Sequence, residues 1–156
     1  MLYRVILTAT LRGGKPWVAP ILAFYMRVYL CRHAKAGTGE PDELRELTAA
    51  GFEQARSLGD ALAARADAPV LVLSSPLLRA RQTAAELGRA IGVPVRVDEA
   101  LAPGATVDDL TRALEGEPGP VATVGHQPDC SEIAYAVIGR DPGFPVAGMT
   151  VLELNT

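Results

Sequence analysis

Four short apolar runs, Val28–Cys31, Val70–Leu73, Val95–Val97 and Val121–Val124, recur along the chain with longer amphipathic stretches between them. This alternation narrows the fold more than any other feature. Runs rich in β-branched and aromatic residues, bounded by breakers, read as strands covered on both faces. Between them, Phe52, Ala55, Leu58 and Leu62 recur at helical spacing in a stretch opened by Thr48 and running to about Arg65. A second helix is expected from Pro76, capped by Ser75, to Ile91; a third opens at Thr106 with Asp109 three residues on, the pattern of a capping box. A fourth follows Gly125–His126–Gln127–Pro128 and runs through Ile138, and Met149–Leu154 alternates like a final strand at an edge. Strand and helix in alternation predict an α/β three-layer sandwich, a mostly parallel sheet with helices on both faces.

Residues 1–25 depart from this pattern. Leu2–Leu11 is strand-like, Arg12–Pro16 is a breaker, and Trp17–Tyr25 is apolar but too short to span a bilayer and lacks the order of a signal peptide. Because Met26 directly precedes the first strand, residues 1–25 are expected to be an N-terminal extension of uncertain origin and 26–156 the domain proper. The rival expectation is an extra strand or arm on the sheet edge.

Parallel sheets present ligands at the carboxyl ends of their strands. Three of those ends carry chemistry here: Arg32 and His33 after the first run, Arg79 in the first turn after the second, and His126 after the fourth. Each residue alone has a bland explanation. His33 and His126 could be satisfied strand-end histidines and Arg79 an exposed helix charge, as Arg81 and Arg89 are expected to be. Neighbouring strand ends lie close together, however, so two guanidinium groups and two imidazoles converge on one small pocket. The chain carries a net charge of −3, which gives no reason to expect nucleic acid or an anionic membrane as partner, so any phosphate site must be local. Two histidines without acidic or thiolate companions make a poor metal site. Arginine forks and helix starts match a compact phosphate dianion.

In such a pocket a neutral imidazole can attack phosphorus, and nearby arginines disfavour its protonated form. The expected chemistry is in-line attack, a covalent phosphohistidine and its hydrolysis by water, with no metal or organic cofactor required. Lys35 and Thr38, in the loop Ala34–Glu43 with its Gly37, Gly39 and Pro41, are expected to be solvated. Cys31 and Cys130 are read as buried free thiols in a reducing cytoplasm, a single disulfide being the alternative. A cysteine-phosphatase reading fails, because the sixth residue after each cysteine is Gly37 or Ala136 where an arginine is required.

The ordered set Arg32–His33–Ala34, Arg45-x-Leu47–Thr48-x-x-Gly51-x-x-Gln54–Ala55, Ser74–Ser75–Pro76-x-x-Arg79–Ala80-x-Gln82–Thr83–Ala84 and Gly125–His126-x-Pro128 resembles the histidine phosphatase superfamily, which also contains the phosphoglycerate mutases. The short length resembles its small phosphohistidine phosphatase branch. The resemblance implies a phosphoglycerate mutase-like fold, His33 as nucleophile, Arg32 and Arg79 as phosphate clamp, and His126 as the second pocket histidine.

The chain departs from the family pattern in two places, of which the first is frequent in the small branch and the second bears on substrate. Arg–His–Ala stands where Arg–His–Gly is usual, and Leu101–Ala102–Pro103 has proline where many members place a proton-donating glutamate. Asp98 and Glu99 are the nearest carboxylates in sequence, so the acid is one of these or none. An alkoxide needs a good acid to leave, whereas imidazole leaving from phosphohistidine needs one far less. The expected activity is a phosphatase acting on phosphohistidine in a signalling or phosphotransfer protein. The alternatives are a phosphomonoesterase acting on a small phosphorylated metabolite, and a non-catalytic phospholigand-binding module.

Overall fold

The computed structural model describes residues 8–10, 16–18 and 25–155. Near the start, β1 (Thr8–Thr10) and β2 (Pro16–Val18) pair antiparallel with each other and are not part of the main sheet. The other expectations for residues 1–24 lie outside the described residues.

The main sheet contains β3 (Tyr25–Arg32), β4 (Leu71–Ser74), β5 (Val95–Val97), β6 (Val121–Gly125) and β7 (Met149–Asn155) in the order β5-β4-β6-β3-β7. The first four of these run parallel, and β7 closes one edge antiparallel to β3. The remaining edge strand, β5, exposes all three of its residues.

Both faces of the sheet are covered, and the two-residue period of a strand decides which side chain goes where. Val28, Leu30, Leu71, Leu73, Val121 and Leu152 point into one core, with Leu110 and Leu114 of α3 (Val107–Leu114) and Ile133 of α4 (Asp129–Ile138). The alternate residues Tyr29, Cys31, Val72, Ala122 and Val124 point into the other, against α1 (Ala49–Ala63) and α2 (Leu78–Ile91). Each buried leucine contributes about 1.5–3 kcal/mol. The helices α1 and α2 also pack closely on each other: a Cβ on Gly59 would lie 2.8 Å from the Ala90 Cβ.

The caps read from the sequence are present in two of three places. Thr48 accepts from the Gly51 amide at the start of α1, and Thr106 with Asp109 forms the full capping box of α3. The third differs. Helix α2 begins at Leu78, not Pro76, and Leu77, not Ser75, holds the N-cap position without a side-chain bond. The expected loop after β5 contains a short 3-10 helix, Glu99–Leu101, capped by Asp98.

Parallel pairing aligns the strand ends. Arg32 stands beside Gly125, and Ser74 beside Val124. One residue further, the His33 amide bonds to the Gly125 carbonyl at 3.0 Å, and the Ser75 amide to the Val124 carbonyl at the same distance. The polar residues after β3, β4 and β6 are thereby held on one edge of the sheet.

Candidate active site

His33, at the end of β3, is 9% exposed. Its Nδ1 lies 2.7 Å from the Ala34 carbonyl oxygen, which can only accept, so Nδ1 carries the proton and Nε2 keeps its lone pair. Arg79 Nε donates to that Nε2 at 3.3 Å. Burial lowers the His33 pKa first, with Arg79, Arg32 and Arg45 adding to it against the bond to Ala34. The arginines alone were expected to do this; desolvation is the larger cause.

His126 follows β6, with its ring centroid 5.3 Å from that of His33 and tilted by 57°. Its Nε2 is hydrogen-bonded to Ser75 Oγ at 2.6 Å. This bond engages the hydroxyl expected to cap α2. Burial, then the neighbouring His33 and Arg79, push the His126 pKa down to about 4. Its Nδ1 is buried without a partner among the described residues, as is Thr123 Oγ1, and both residues line a small cavity that also includes Leu30, Leu101 and Asp129.

Three of the four expected residues, His33, Arg79 and His126, are thus brought together. Arg32 is less free: its Nη1 donates to the Phe144 carbonyl at 2.9 Å, and its charge still acts on His33. That anchor could not be read from β3 alone, because Phe144 lies in the loop before β7.

The loop between His33 and α1 supplies what the sequence reading missed. Asp42, in the short 3-10 helix Asp42–Leu44, occupies Arg79: Nη1 donates to its carbonyl at 2.9 Å and Nη2 to its Oδ2 at 3.1 Å. Arg45 Nη1 holds the other carboxylate oxygen at 2.8 Å. Residues that figured only as a family pattern fasten this loop. Gln54 accepts from the Lys35 amide at 2.9 Å, Gln82 from the Leu47 amide at 2.8 Å, and Thr83 Oγ1 from the Ala34 amide at 3.0 Å. Gly51 leaves room for the Lys35 carbonyl, which would lie 2.0 Å from a Cβ there.

Lys35 and Thr38 are exposed, as expected. Of the two carboxylates singled out in the sequence, Asp98 accepts from the Ala100 amide at 2.9 Å and Glu99 is exposed. Asp129, three residues after His126, is buried and accepts from the Gly104 amide at 2.8 Å. Both cysteines are buried and free. Among the described residues no group of three or more His, Cys, Asp or Glu side chains is placed to hold a metal ion, and no helix is long and apolar enough to cross a membrane.

Fold and cluster together define an α/β protein with a cationic pocket at the strand ends of a doubly covered sheet. The sequence profile of the histidine phosphatase superfamily (branch 1) matches residues 28–103. The provisionally assigned phosphohistidine phosphatase SixA of Agrobacterium tumefaciens superposes with a TM-score of 0.72 at 35% identity, over 82% of this chain and 91% of that one. A protein histidine phosphatase SixA complexed with tungstate gives 0.74 at 26% identity, over 81% and 86%. A mycobacterial glucosyl-3-phosphoglycerate phosphatase in complex with inorganic phosphate gives 0.57 at 26%, over 78% and 81%. The chain belongs to the histidine phosphatase superfamily. It is a phosphatase of the small, SixA-like branch, with the phosphoglycerate mutase-like fold.

Proposed function

We propose that this chain dephosphorylates phosphohistidine on a signalling or phosphotransfer protein, without a metal, through a covalent intermediate on His33. The observation that carries the reading is the His33 ring itself. It is anchored through Nδ1 and neutral by burial, and its Nε2 lone pair faces the side where Arg79 and His126 converge.

In the first step the Nε2 lone pair forms a bond to phosphorus as the bond to the leaving nitrogen breaks. The departing imidazole keeps the electron pair and is neutralised by a proton. Water then attacks phosphorus, the N–P bond breaks, and Nε2 recovers its lone pair while inorganic phosphate carries away the water's oxygen. Arg79, Arg32 and His126 hold the equatorial oxygens as charge shifts between them.

The leaving group favours phosphohistidine over an alkyl ester. Asp98 serves as a cap, Glu99 is exposed, and Asp42 is held below the usual carboxylate range by Arg45 and then Arg79, so none of the three is a buried acid placed to protonate a strongly basic alkoxide. The likeness to a SixA phosphatase supports the same choice. The likeness to a glucosyl-3-phosphoglycerate phosphatase keeps a small phosphorylated metabolite as the second reading. Free thiols at Cys31 and Cys130 fit a reducing cytoplasm as the place of work.

The test is turnover of a phosphohistidine peptide beside a phosphoserine peptide and an aryl phosphate, with EDTA present and His33→Ala as control. Fast release from phosphohistidine, absent in the variant, supports the proposal. Equal or faster hydrolysis of phosphoserine overturns the leaving-group argument, and phosphate binding without turnover of any substrate favours the binding module.

A further inference from the structure

The arginine expected to grip a phosphoryl group is already gripping a carboxylate. Arg79 presents Nη1 and Nη2 to the carbonyl and Oδ2 of Asp42, while Arg45 presents Nη1 to Oδ1 of the same carboxylate and Nε to the Gly37 carbonyl at 2.8 Å. An acid group shared by two guanidinium groups offers them anionic oxygens of the kind a phosphate would offer. The two sides of this contact are unequally fixed. The Arg79 side chain is 8% exposed and that of Asp42 57%, so the cation is part of the site wall and the anion belongs to the surface.

The chain around Asp42 is built unevenly in the same sense. Its flanks are fastened at Lys35 and Gly37 on one side and at Leu47 and Thr48 on the other, by bonds to Gln54, Glu46, Gln82 and the Lys35 carbonyl. Its tip, Asp42–Leu44, buries no residue, and Leu44 is exposed. Lifting the tip away from Arg79 therefore uncovers little apolar surface and leaves the fastened flanks in place.

We propose that Asp42 is a specificity-determining residue, an internal anion that competes with incoming phosphoryl groups for Arg79. A ligand enters only by outbidding one carboxylate, which favours the doubly charged phosphoryl group over weaker anions. The same carboxylate returns to Arg79 after hydrolysis and helps expel inorganic phosphate. This inference rests on the assignment of the His33, Arg79 and His126 pocket as the phosphoryl site.

The experiment is calorimetric titration of the full chain with inorganic phosphate, comparing wild type with Asp42→Asn, Asp42→Ser, Asp42→Glu and Arg79→Ala. Asp42 is exposed, and unchanged circular dichroism in the variants checks that they fold. The proposal expects Asp42→Asn and Asp42→Ser to bind phosphate about five- to tenfold more tightly, with Asp42→Glu near wild type. Phosphate should also become a correspondingly stronger product inhibitor. Wild-type binding that Arg79→Ala removes but that Asp42→Asn leaves equal or weaker overturns the competition and makes Asp42 a strap of the loop. Phosphate binding that is undetectable in wild type and both charge-removal variants, or indifferent to Arg79→Ala, overturns the pocket assignment itself.

Discussion

Arg79 Nε points at Nε2 of His33 across 3.3 Å, although the two residues are 46 positions apart in the chain. Parallel pairing of β3, β6 and β4 makes this possible, because it brings three strand ends to one edge and starts α2 directly above them. The same guanidinium keeps its two terminal nitrogens for a ligand, or for Asp42 in its place.

A lysine cannot reproduce that division of labour, since it has neither the fork nor a separate Nε–H. Arg79→Lys should lower kcat/KM by about 10²-fold or more with the melting temperature little changed. Steady-state kinetics beside a thermal melt checks this. A loss below threefold would mean that the fork is dispensable.

Ser75 is buried, and its hydroxyl bonds to Nε2 of His126. Ser75→Ala should release the second imidazole and cost roughly two- to tenfold in kcat, the net worth of one hydrogen bond, while Ser75→Thr recovers part of it. Because Ser75 acts through His126, the loss should be small in a His126→Gln background, which a double-mutant cycle measures.

Thr83→Val keeps the shape of a buried residue but leaves the Ala34 amide without its acceptor. The expected cost is about 1–3 kcal/mol of stability. Activity should fall as well, since Ala34 is also the anchor of the His33 ring. Thr83→Ser should restore most of both. Urea denaturation and kcat are the readouts.

Gly51→Ala should be destabilising for a steric reason. The new Cβ meets the Lys35 carbonyl oxygen at 2.0 Å, so either α1 or the loop must shift. A loss of about 1–3 kcal/mol follows from such overpacking. Activity should drop with it, because Lys35 directly follows Ala34, whose carbonyl anchors the His33 ring.

Both pocket histidines have pKa values below the ordinary imidazole value, His126 at about 4. The folded state therefore binds fewer protons than the unfolded chain in acid, and stability rises with pH. It should be complete above about pH 6.5 and decline as pH falls toward 4, by on the order of 3 kcal/mol from His126. His126→Gln should flatten that decline. The proposed attack by His33 needs its neutral form, so kcat/KM should stay level as pH falls through about 6.5 and drop only at lower pH.

Much of this was legible in the residues. Apolar runs flanked by breakers marked β3 to β6, and Thr48 and Thr106 marked two helix starts, because strand burial and capping are local matters. The closeness of His33, Arg79 and His126 was legible because they follow strand ends. Ser75 was misplaced, since a serine before a proline reads as a cap and only the neighbouring strand brings His126 to it. Asp42 was missed for a related reason: in a loop of glycine, proline and acid it looks solvated, and Arg79 comes near only when α1 and α2 pack together. The anchor of Arg32 on Phe144 is likewise set by a loop more than a hundred residues away.

The most direct test of the account is rapid acid-free quenching of the enzyme with a phosphohistidine peptide labelled on phosphorus, followed by peptide mapping. Attack by His33 should give a burst of protein-bound label that is stable in alkali and lost in acid, mapped to the peptide containing His33 and absent from His33→Ala. Label on another residue, or an undiminished burst in the variant, would contradict it.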